Sequence, residues 1–114
     1  MNTVKHPNNS IGRILRQAYI DKGSLLEKND IIMAAAKADI DYITAIHAWV
    51  IMVSRNILPG DNHLKRQQQQ LWFQGMAFAV LINSGVATEE IGKGARMSPE
   101  LVDNLAKIYM TPNT

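Results

Sequence analysis

Apolar residues recur along this chain at three- and four-residue spacing almost throughout, and nowhere do they alternate over the length of a strand. The pattern predicts an all-α chain. Ile11, Ile14, Leu15, Ala18 and Tyr19 share one helical face, with Ser10 placed to cap that helix and Gly23 to end it. A second helix is expected through Ile31, Ile32 and the Ala34-Ala35-Ala36 run, capped by Asn29 or Asp30. A third, capped by Asp39 or Asp41, carries Tyr42, Ile43, Ile46, Trp49, Val50 and Val53. Leu58-Pro59-Gly60-Asp61-Asn62 reads as the clearest loop, and a long helix follows from His63 to Asn83, closed by Ser84-Gly85. Residues 1–9 are polar and are expected to form a loose arm.

Thr88 to Tyr109 is the most informative stretch. Ile91 belongs on the inner face of a short helix, Gly92 beside it admits a close crossing, Ala95 closes the helix and Met97 plugs the turn. Ser98 then stands at an N-cap, Pro99 at the first helical position and Glu100 in the first turn. Val102, Leu105 and Ile108 or Tyr109 form a buried stripe, leaving Ser98, Asp103, Asn104 and Lys107 on the outside. The spacing predicts a helix-turn-helix in which Arg96 takes the turn position that often carries Gly. Arg96, Ser98, Asn104 and Lys107 are then the residues placed to touch DNA.

From Gly85 to Ala106 the sequence GVATEEIGKGARMSPELVDNLA resembles the helix-turn-helix segment of the flagellar master regulator subunit family FlhD. The similarity lies in Gly85-Val86, Glu89, Met97-Ser98, Val102 and Leu105-Ala106. The resemblance implies a small all-helical subunit that dimerises, acts with a heterologous FlhC-like subunit at promoter DNA and activates transcription. The competing expectation is a helical interaction or assembly module of a phage or conjugative element, in which residues 88–109 are a packing corner.

Charge bears on how such a unit would work. Lys93, Arg96 and Lys107 face Glu89, Glu90, Glu100 and Asp103, so the segment is net acidic, whereas phosphate neutralisation supplies most non-specific DNA affinity. Help from a partner is expected. The formal net charge of +2 over 114 residues argues for neither nucleic acid nor membrane by itself. Lys65 and Arg66, followed by Gln67 to Gln70, form either a solvated helix face or, with Arg55, a phosphate-facing patch; Arg13 and Arg16 are a similar pair.

Two runs are apolar nearly all round: 42–53, and 71–82, where only Gln74 is neither apolar nor Gly. Both fall short of the roughly 20 residues that a bilayer span needs. One domain of this size has little interior in which to hide two such helices, so Trp49, Trp72, Phe73 and Phe78 are expected at a homodimer or higher homo-oligomer interface. The expected organisation is a single domain: an arm at 1–9, a helical dimerisation region with long helices at 10–84, and a C-terminal helix-turn-helix at 85–110.

Candidate chemistry is sparse. The chain has 0 Cys, which removes disulfides, thiol catalysis and cysteine-based zinc sites. His47 lies among apolar residues with no carboxylate at ligand spacing and reads as a satisfied core or interface histidine, while His6 and His63 stand alone. Asp39 and Asp41 do not share a helix face and read as caps. No catalytic, metal or cofactor site is expected, and Gly92 with Gly94 do not make a phosphate loop. MNTVKHPNNS lacks the apolar core of a signal peptide, so a cytoplasmic protein is expected.

Overall fold

In a computed structural model, which describes residues 7–55 and 66–110, these residues form six helices and no strand. They are α1 (Pro7–Lys22), α2 (Lys28–Ala38), α3 (Tyr42–Arg55), α4 (Arg66–Asn83), α5 (Thr88–Ala95) and α6 (Pro99–Lys107). The side chains of residues 7–10 and 66–71 are outside the description, as are the expected loop at 58–62, His6, His63 and Lys65. None of the described helices is long and apolar enough to cross a membrane.

α3 is the hub of the fold. Its apolar face is nearly continuous, and it packs against α1, α2, α4 and α5, while α6 rests on α4 and α5. Ile46, Trp49, Val50 and Val53 of α3 are buried with Ile11 and Leu15 of α1, Ile31 of α2, Phe78 and Leu81 of α4, Ile91 of α5 and Val102 of α6. Tyr19 of α1 touches both α3 and α4, its ring 5.9 Å from Trp49 and 6.4 Å, edge-on, from Phe73.

That burial corrects the expected interface. Trp49 and Phe78 are both 0% exposed within the single chain, so they are core and have no surface left for a partner. Phe73 is half-buried against Tyr19. Trp72, 51% exposed, is the one of the four with a face to offer. Six short helices enclose more volume than the sequence suggests, because α6 folds back over α4 and covers what would have been its outer side.

The helix starts differ from expectation in an orderly way. α1 begins at Pro7, so Ser10 lies inside it instead of capping it; Pro suits the first helical position because its missing N–H would have no partner there. α2 is capped by Glu27, and Asp30, three residues on, accepts from the Glu27 N–H at 2.8 Å. Asp30 also pairs with Lys22 at the end of α1. Asp41 starts α3, accepting from the N–H of Thr44 at 3.0 Å and its hydroxyl at 2.6 Å. Asp39 instead ends α2 with φ of 59°.

Three helix ends share one device. After α2, α4 and α5 an N–H reaches back five residues, from Ile40 to the Ala35 carbonyl, Val86 to Leu81 and Met97 to Gly92, around a left-handed residue. That residue is Asp39, Gly85 and Arg96 respectively, with Gly85 at φ of 108°.

The Asp30 carboxyl titrates under opposing influences. Burial raises its pKa, but the Lys22 ammonium and the Glu27 N–H outweigh this and hold it below the ordinary Asp value. A depressed folded-state pKa contributes stability that is present above the unfolded value, near 3.9, and lost as pH falls through the folded one. Asp30→Asn should therefore lower the unfolding midpoint at pH 7 and narrow the gap to wild type as the pH drops below about 4; thermal scans at graded pH check this, and a gap that is independent of pH contradicts it.

Candidate functional site

The α5–α6 unit is built on three close approaches. Gly92 lies where an added Cβ would come 2.6 Å from the Met97 carbonyl oxygen, so the turn folds directly over α5. Gly94 lies against α3, an added Cβ there being 3.2 Å from the His47 Cα. Gly75 of α4 seats α6: an added Cβ would meet the Leu105 carbonyl oxygen at 2.6 Å and the Tyr109 ring at 2.7 Å. At Gly92 and Gly75 backbone atoms are the obstacles, so a larger residue requires a helix to shift, whereas at Gly94 α3 and the Val50 side chain need give by only a few tenths of an ångström.

Ser98 caps α6, its hydroxyl accepting from the Leu101 N–H at 3.2 Å, and Pro99 follows in the first turn. Val102 and Ala106 are buried, Leu105 half-buried. Of the two candidates for the end of the stripe, Tyr109 packs inward and Ile108, past the last helical turn, is 75% exposed.

Arg96, Ser98, Asn104 and Lys107 are all exposed, Arg96 on the turn and the others at the start and on the outer side of α6. The structure therefore places all four on the surface of one unit. Ser98 is limited by its cap, which occupies an oxygen lone pair and leaves the hydroxyl proton to offer. The same surface carries Glu100, Asp103 and Leu101, the last 44% exposed. Asp103 accepts from the Thr88 hydroxyl at 3.3 Å, tying α6 to the start of α5.

Sequence reasoning missed Glu90. His47 Nε2 lies 3.1 Å from its carboxylate, and Lys93 Nζ lies 3.5 Å from the other oxygen. The partner comes from 43 residues away, so no local spacing could reveal it. The contact pins α5 to α3 and draws one acidic group away from the outer face. Burial pushes the nearby Tyr42 phenol up from its ordinary pKa, and the Glu90 charge adds to that. Among the described residues no three His, Asp or Glu side chains converge as a metal site requires.

No protein-family model, curated protein or solved structure matches the chain.

Proposed function

We propose that this chain is a transcriptional regulator subunit of the FlhD-like kind, working in the bacterial cytoplasm as a homodimer with a heterologous FlhC-like partner to bind promoter DNA and activate transcription. The observation that carries the reading is the α5–α6 unit itself: two short helices joined at Arg96-Met97-Ser98, held from behind by α3 and α4, with Arg96, Asn104 and Lys107 directed outward on exposed surface. A rigid seat behind and polar side chains in front are what base-edge contact from a helix needs. Asn104 suits bidentate pairing with adenine, and Arg96 and Lys107 suit backbone phosphates.

The acidic residues on this surface set the mode of action. The isolated chain should bind DNA negligibly at physiological salt, because few phosphates can be neutralised, and should contribute only inside a complex. Within that complex Asn104→Ala should relax site preference by about 1–3 kcal/mol, whereas Lys107→Ala should weaken binding to all sequences and flatten the salt dependence. Co-purification with its partner subunit followed by DNA-binding titrations tests both. Wild-type behaviour of Asn104→Ala in the complete complex would remove the base-reading role.

Leu101 and Ile108 favour a second reading. Both are exposed apolar residues on the side of α6 that includes Asn104, and an apolar pair framing a polar residue suits a partner-docking helix of an assembly module. Leu101→Glu separates the two: loss of a protein partner with DNA binding unchanged supports docking.

A further inference from the structure

Toward the C-terminal ends of α3 and α5, past their crossing at Gly94, lies a cavity of about 240 Å³ lined by Ile51, Ser54, Arg55, Gly94, Ala95 and Arg96. Among the described residues that line it none is acidic. Neither arginine forms an ion pair among the described residues; those pairs involve Lys22, His47 and Lys93. Arg96 moreover holds φ of 59°, a conformation in which glycine would be the less strained choice. The positive φ belongs to the helix-ending turn that Asp39 also makes; what distinguishes Arg96 is that its guanidinium shares a cavity with that of Arg55, neither being ion-paired among the described residues.

Charge and size both restrict the occupant. Among the described groups there, each helix C-terminus brings roughly half a negative charge, which the two guanidiniums exceed by about one unit. An anion is therefore favoured. The volume lies below the roughly 300–1,000 Å³ of pockets for drug-sized ligands, and a single tetrahedral oxyanion fits it. Guanidinium groups match phosphate oxygens through paired N–H donors.

We infer that this cavity is a phosphate subsite held by Arg55 and Arg96, and that the phosphate belongs to a DNA backbone passing the start of α6. The second half rests on the DNA-reading function proposed above; the first does not. Arg55, on α3, extends the contact surface beyond the turn and α6.

Calorimetry and thermal unfolding of the purified chain with inorganic phosphate, in chloride buffer at low and constant ionic strength, test the subsite. Phosphate should bind and raise the unfolding midpoint. Arg55→Gln and Arg96→Gly should each weaken binding about tenfold or more, since each removes a charge-assisted contact, while Lys37→Ala on α2 should not. Arg96→Gly also relieves the positive φ, so without phosphate it should melt no lower than wild type; loss of binding then cannot be ascribed to misfolding. Phosphate that fails to bind, or that binds both variants like wild type, overturns the subsite. A random-sequence duplex added as competitor should displace phosphate at the same low salt. Phosphate binding that depends on both arginines but resists the duplex keeps the subsite for a free phosphate ester and overturns its assignment to DNA.

Discussion

Gly75→Ala should destabilise the protein by about 1–3 kcal/mol, although alanine is the better helix former by about 1 kcal/mol. The new methyl would lie 2.6 Å from the Leu105 carbonyl oxygen and 2.7 Å from the Tyr109 ring. Tyr109 can rotate away, but Leu105 offers backbone, so α6 has to lift from α4. Gly12→Ala on α1 is the control, because nothing stands within 4 Å of its added Cβ. There the same change should stabilise by roughly 0.5–1 kcal/mol, since only the helix propensity term remains. Urea unfolding of the pair measures both. Equal midpoints would mean that α6 is not seated on Gly75, and the rigid support behind Asn104 and Lys107 would lose its basis.

Phe78→Ala should cost about 3–5 kcal/mol, the range for emptying a fully buried aromatic site. That is a large part of the 5–15 kcal/mol typical of a domain. Phe78 is 0% exposed and Trp72 is 51% exposed on the same helix, so the two aromatics should behave oppositely. Trp72→Ala should change stability by no more than about 0.5 kcal/mol yet weaken self-association, if the exposed ring is part of a homodimer contact. Denaturant melts read the first quantity, and sedimentation velocity across a concentration series reads the second. Unaltered association of Trp72→Ala would place the contact between copies elsewhere, and a wild-type monomer at every concentration would remove the homodimer from the proposal.

Between these two phenylalanine and tryptophan positions lies the limit of reading helices one at a time. Both fall in a run whose residues are apolar all round, and periodicity cannot say which side will be covered by another segment of the same chain. Only the packing of α4 against its neighbours α3 and α6 decides that Phe78 is interior. The same is true of Trp49, buried because α3 is surrounded by α1, α2, α4 and α5.

Local signals were legible where one or two turns of chain contain the whole physical cause. Ser98 before Pro99 sets a helix start because the cap hydroxyl and the N–H it serves are three residues apart. The spacing of Val102 and Leu105 sets the inward face for the same reason, while the choice between Ile108 and Tyr109 fell to packing. Capping failed as a guide at α2: Asn29 and Asp30 stood out as caps, but Glu27 takes that place with Asp30 closing the capping box, and the contact from Lys22 to Asp30 adds a constraint from another helix.

The sequence by itself determined that this protein is helical, roughly where its helices run, and that residues 88–107 form a pair of short helices with a polar outer side. Those features depend on backbone hydrogen bonding and on periodicity over a few residues. The tertiary structure alone decided which aromatics are core, that Glu90 answers His47, that Gly75 is the seat of α6 and that Arg55 and Arg96 share one cavity. Each of these brings together groups far apart in the chain, and the free energy that joins them comes from burying surface between helices, a quantity that no single helix contains.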